Sequence, residues 1–113
     1  MALALNVFKT IVKVATTNAV GIYTAPVGYT GVVLLAQTAN IGNNTQTVSF
    51  SHQRTIAGIA VTTEILKNFP ISASDTANLL SGKLVLESAD VLVLSASNGT
   101  DIKFLGSVLE TLN

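Results

Sequence analysis

Residues Ser81–Thr100 read SGKLVLESADVLVLSASNGT. The stretch holds an apolar run, a break at Glu87-Ser88-Ala89-Asp90, a second apolar run and a break at Asn98-Gly99. Short apolar runs closed by Gly, Asn, Ser and Asp are the pattern of β-strands joined by turns. Val91, Leu92, Val93 and Leu94 are consecutive and uncharged. Successive strand residues point to opposite faces, so this strand presents apolar side chains on both. One face lines a core. The other needs a cover, either the chain's own 68–82 connection or a neighbouring subunit, and the neighbour is the favoured reading. Leu92 and Val93, one from each face, are therefore interface candidates. Parity alone does not say which of them is the inner one.

Outward from this stretch the same grammar repeats. Val, Ile and Thr dominate, and Pro occurs only at 26 and 70. Strands are expected at 6–17, 20–24, 30–39, 46–52, 58–67, 83–87, 91–97 and 101–111. In TVSFSH, Val48 and Phe50 face one way and Thr47, Ser49 and Ser51 the other. AVTTEIL sets Val61, Thr63 and Ile65 against Thr62 and Glu64. Pro26 and Gly28 in APVGYT fit a β-turn. Asn98-Gly99 is the strongest short hairpin signal, which predicts that 91–97 and 101–111 are antiparallel neighbours. Ser74 or Asp75 is placed to cap a single helical turn within 68–82. The fold class that follows is all-β, an antiparallel β-sandwich of jelly-roll or immunoglobulin-like type with about seven to eight strands, with a closed barrel as runner-up. The expected organisation is an N-terminal arm, residues 1–5, and one β-sandwich domain, residues 6–113. Ala2, Leu3, Ala4 and Leu5 of the arm are candidates for contact with a neighbouring subunit; the alternative is a frayed terminus.

Composition narrows the function classes. Six basic and six acidic residues give zero net charge, against the positive field that binding nucleic acid requires. Charged residues make up only 11% and hydrophobic ones 49% of the 113 residues, where about 25% charge is usual. Neutral, charge-poor proteins associate readily, so a self-associating subunit is expected. The absence of cysteine removes disulfides and thiolate metal sites. MALALNVFKTIVKV lacks a basic region ahead of its apolar residues and is interrupted by Lys9 and Lys13, so neither a signal peptide nor a membrane helix is read there. The two Asn-x-Thr triplets, at Asn43 and Asn98, are read as turns.

The residues that carry chemistry do not assemble into a recognisable pattern. His52 is the single histidine, and no Gly-x-Ser-x-Gly elbow presents Ser49 or Ser51. The carboxylates Glu64, Asp75, Glu87, Asp90, Asp101 and Glu110 lack the aromatic lining of a sugar cleft, since the chain has no Trp, two Tyr and four Phe. No calcium-loop spacing and no phosphate-binding glycine loop is present. Lys9 and Lys13 share a strand face, as a solvated edge or a salt-bridging surface. The expectation is no catalytic residue, no cofactor and no metal.

A longer match is carried by LKNFPISASDTANLLSGKLVLESADVLVLSASNGTDIKFLGSVLE, together with IYTAPVGYTGVVLLAQTAN and TQTVSFSH upstream. It resembles a recurrent pattern in small virion proteins of tailed bacteriophages, marine and cyanobacterial ones especially. In that pattern a Pro-Ile and an Asp precede a Gly-Lys-Leu-Val-Leu-Glu strand, then an acidic turn, a further strand, a hairpin and a closing Ser-x-Leu-Glu. The matching positions are Pro70, Ile71, Asp75, Gly82 to Glu87, Asp90 and Ser107 to Glu110; Ala89 stands where the pattern often has Gly. The resemblance spans about residues 20–110. It implies a β-sandwich virion structural protein, foremost a capsid decoration or cement protein, with neck, tail or fibre-base components as the nearest alternative. Partners would be further copies of the chain, as a trimer by analogy, and the major capsid or other virion proteins. A carbohydrate-binding module, with Tyr23 and Tyr29 as its only platform residues, is the reading from a different class.

Overall fold

The computed structural model describes residues 6–113, so the expected arm 1–5 and its candidates Ala2, Leu3, Ala4 and Leu5 lie outside the described residues. Nine strands follow in order: β1 (Asn6–Val14), β2 (Val20–Thr24), β3 (Tyr29–Asn40), β4 (Gln46–Ile56), β5 (Ile59–Ile71), β6 (Thr76–Asn78), β7 (Leu84–Leu86), β8 (Val91–Ala96) and β9 (Ile102–Leu112). All strand pairs are antiparallel. One sheet has the order β1-β9-β3-β6, with β7 also on β3, and the other β2-β8-β4-β5. Except at β4-β5 and β6-β7, each strand passes to the opposite sheet. With β6 and β7 sharing one position, this is the jelly-roll arrangement, and neither the immunoglobulin-like nor the barrel option.

The core lies between the sheets. Phe50 and Phe104 meet at its centre with ring centroids 5.8 Å apart and tilted by 32°, a favourable offset geometry. Val33, Val48, Leu86, Leu92, Leu94, Ile102 and Val108 surround them and are fully buried. Each such side chain contributes about 1.5–3 kcal/mol of gross transfer energy. Glycine at 106 has a packing reason: a Cβ there would stand 2.8 Å from the Phe104 ring. In β8 the burial alternates, with Leu92 and Leu94 buried and Val91 and Val93 half-buried. The even parity is thus the inner one.

Several local expectations are corrected. Residues 91–97 and 101–111 are not hairpin neighbours: β8 and β9 belong to different sheets. Asn98 turns the chain with its side chain instead. Its Oδ1 accepts the amides of Thr100 at 3.3 Å and Asp101 at 3.0 Å, and its Nδ2 donates to Asp101 Oδ2 at 2.8 Å. Such side-chain turns compete with the backbone hairpin for the same Asn-Gly sequence. The tight hairpin is at Ile56-Ala57-Gly58-Ile59, where φ is 52° at Ala57 and 80° at Gly58, the type I′ signature. Ala at the first position hid it. No helical turn is present at Ser74 or Asp75. Strand β5 runs on to Ile71, Asp75 N–H donates to Ser72 O at 3.2 Å, and β6 follows. The Glu87–Asp90 turn forms as expected, closed by Asp90 N–H to Glu87 O at 3.0 Å, with Ala89 at φ 70°. That is the position a type II turn reserves for glycine.

Candidate functional site

Polar chemistry concentrates around two buried carboxylates. Asp90 is 1% exposed. It closes the turn just before β8, where β4 brings His52 and Arg54 opposite it on the inner face. Arg54 Nε donates to Asp90 Oδ1 at 2.9 Å and Nη2 to Oδ2 at 2.7 Å. His52 Nε2 lies 3.0 Å from Oδ2 and the Glu87 amide donates to it at 2.9 Å. Glu87 in turn sits 3.2 Å from Arg54. The Arg54 hydrogen bonds, helped by His52 and the Glu87 amide, outweigh desolvation and hold the Asp90 carboxyl well below the usual carboxylate range. The same bonds raise the Arg54 guanidinium. An ionised Asp90 requires that His52 Nε2 carry the proton. Both Asp90 oxygens are engaged by fixed donors, so the group is an anchored anion tying the start of β8 to β4.

The second carboxylate, Glu110 on β9, is 4% exposed and crosses to the other sheet. Tyr23 on β2 donates its hydroxyl to Glu110 Oε2 at 2.5 Å, and Lys9 Nζ on β1 lies 3.3 Å from Oε1. Burial, then the hydrogen bond and the charge of Glu110, push the Tyr23 hydroxyl well above its ordinary value. The Lys9 reading as a salt-bridging residue therefore holds, with a partner 101 positions away. Nothing in spacing signals either cluster, because their members lie far apart in sequence and meet only through strand pairing or, for Tyr23 and Glu110, between the sheets. Tyr23, one of the two tyrosines required for a sugar platform, is committed to this internal bond. Among the described residues no group of three or more His, Cys, Asp or Glu is placed to hold a metal ion.

The remaining feature is surface. On the outer side of the β1-β9-β3-β7 sheet, Phe8 pairs with Leu109, Leu109 with Val32, and Val32 with Val85. These four form one apolar row across four strands; Phe8 is 74% and Val85 56% exposed. Val12 and Leu105 form a second outward pair. An outer sheet face normally alternates to polar. Of the sequence candidates, Leu92 is in the core, and Val93 lies on the outer side of its sheet beside Gly21 and Ser51.

No protein-family model matches the chain, and no curated protein matches it. Its fold is similar to that of several solved structures. A chain of the infectious bursal disease virus particle is similar over 97% of this chain, with TM-score 0.60 and 10% identity. This chain spans 32% of that one. A chain in the acid-stable capsid of Helicobacter pylori bacteriophage KHP30 is similar over 96% of this chain and 89% of its own, with TM-score 0.53 and 14% identity. A Bacillus endospore appendage protein, from a family of disulfide-linked pili, is similar over 100% and 97%, with TM-score 0.51 and 15% identity. At such identities the likeness is one of fold.

Proposed function

We propose that the protein is a non-enzymatic structural subunit of a bacteriophage virion, a capsid decoration or cement protein that stabilises the shell through contacts with its own copies and with shell proteins. The observation that carries this reading is the outward apolar row Phe8–Leu109–Val32–Val85 on a chain whose buried charges among the described residues, Asp90 and Glu110, are spent on internal ties. Bare apolar area of this kind marks an interaction face. The jelly-roll topology and the near whole-length likeness to a chain of a bacteriophage capsid support the virion assignment. The disulfide linkage named for the endospore pili is closed to a chain without cysteine.

The mechanism is burial of apolar surface at junctions between shell subunits. Each contact gains roughly 25 cal/mol per Å² of apolar area, and association entropy offsets much of it. Repetition over a lattice makes modest contacts hold collectively. Val93 and the segment Ala2–Leu5 are assigned to the same set of neighbour contacts, and a trimer to the free assembly. Quantitative mass spectrometry of purified particles tests the proposal. A copy number comparable to that of the major shell protein is expected. A number more than an order of magnitude lower would move the protein to the neck, tail or fibre base, and absence from particles would refute the virion role.

A further inference from the structure

Strand β8 accompanies β4 only as far as Gln53, which pairs with Val91. Beyond that point β4 and β5 continue as a two-stranded ribbon, pairing Arg54 with Val61, Thr55 with Ala60 and Ile56 with Ile59. Every residue from Thr55 to Glu64 is exposed. The two faces of the ribbon differ. Ile56, Ile59 and Val61, at 55%, 68% and 43% exposure, carry the inward parity of Phe50 and His52. Thr55, Ala60 and the hydrogen-bonded pair Gln53–Thr62 carry the outward one. The apolar lining of one sheet thus projects past the opposite sheet that would have covered it. An isolated two-stranded ribbon is marginal in water, so this one calls for an opposing layer.

Deepening the assembly reading above, on which it rests, we infer that the Arg54–Val61 ribbon of one copy docks by its Ile56/Ile59/Val61 face across the Phe8–Leu109–Val32–Val85 row of a second copy. Three arguments select this occupant. The row spans three strand spacings, about 14 Å, and the ribbon with its turn projects about 10–14 Å past Gln53. The row carries no acid or base, and the one base on the ribbon face, Arg54 beside Val61, is already tied to Asp90 and Glu87, so docking strands no unpaired charge. The ribbon is a narrow ridge and the row a broad face, so ridge on face buries more than ridge on ridge. The footprint of one contact, a few hundred Å², is well under the roughly 1,200 Å² of a stable complex. A partner that repeats the contact, as copies in a ring or lattice do, fits it. Because donor and acceptor surfaces differ, the contact is head-to-tail and closes into a ring or continues as an array.

The test is sedimentation of the full chain with one variant per surface, Ile59→Asp for the ribbon and Phe8→Asp for the row. Wild type is expected to self-associate with rising concentration, and each variant to lose association beyond a single copy. An equimolar mixture is expected to form a weak two-chain complex that grows with concentration and goes no further, because the intact ribbon of the Phe8→Asp chain docks on the intact row of the Ile59→Asp chain through a single small contact. A monomeric wild type, a variant that associates like wild type, or a mixture that stays monomeric would overturn the contact. Circular dichroism checks folding, and Ile56→Asp and Val85→Asp replace any variant that unfolds. A failed mixture from a protein abundant in particles refutes this contact alone; complementation by a protein absent from particles refutes the virion role alone.

Discussion

Replacing Asp90 by Asn tests whether the buried anion is what ties the start of β8 to β4. The carboxylate accepts two hydrogen bonds from Arg54, one from His52 and one from the Glu87 amide, all at 2.7–3.0 Å. Asn keeps the shape, but its amide nitrogen faces donors. Removing one member of a buried ion pair costs about 3–5 kcal/mol. Because the Arg54 side chain is 36% exposed and keeps Glu87 as a partner, the lower end of that range applies. At about 4 °C per kcal/mol for a chain of this size, a loss of about 3 kcal/mol is expected to lower Tm by about 12 °C. Thermal unfolding followed by far-UV circular dichroism measures the shift, and urea unfolding the free energy. The pH dependence supplies a second readout. Asp90 has its folded pKa depressed, so its contribution is present above the unfolded value near about 3.9 and is lost as pH falls through the folded one. The difference between wild type and Asp90→Asn is expected to shrink on acidification below about pH 4. A loss under about 1 kcal/mol, or a difference unchanged by acid, would refute the reasoning.

Three further outcomes follow from the same geometry. Leu92→Asp places a charge in the core and is expected to abolish folding, whereas Val93→Asp on the outer side is expected to cost about 1 kcal/mol or less; thermal melts of the two separate inner from outer parity. Tyr23→Phe removes the hydroxyl bond to Glu110 and is expected to cost about 1.5–3 kcal/mol. Since the Tyr23 pKa is raised, that contribution is full below about pH 10 and declines as pH rises further, which denaturation between neutral and alkaline pH checks. Ala57→Asn relieves a left-handed Ala in the β4-β5 turn and is expected to stabilise the chain by about 0.5–1 kcal/mol in urea melts.

Local pattern was enough for the strands. β-branched runs with turn residues between them predict every strand but β6, though β4 and β5 run four residues beyond the expected ends at 52 and 67 and β1 stops three short of 17, and Pro26-Gly28 and Glu87–Asp90 mark turns that form. Such features depend on a residue and its near neighbours, which the order of the chain displays. Strand pairing does not. The Asn98-Gly99 pair has the chemistry of a hairpin, but β8 is satisfied by β2 and β4, and β9 by β1 and β3. The hairpin that does form, at Ala57-Gly58, has weaker local chemistry and is held by ten paired positions along β4 and β5.

The buried polar ties were invisible for the same reason. Asp90 and Arg54 are 36 positions apart, and Tyr23 and Glu110 are 87 apart. Charge-poor composition by itself pointed to a protein that associates. Which surfaces are left bare was decided only by the tertiary structure, because exposure is set by where the opposing layer ends. In β8 the apolar run is two-sided, yet Val93 is half-covered by its own sheet. The ribbon beyond Gln53 reads in sequence as an ordinary strand pair, and it is unpartnered because the other sheet does not extend beneath it.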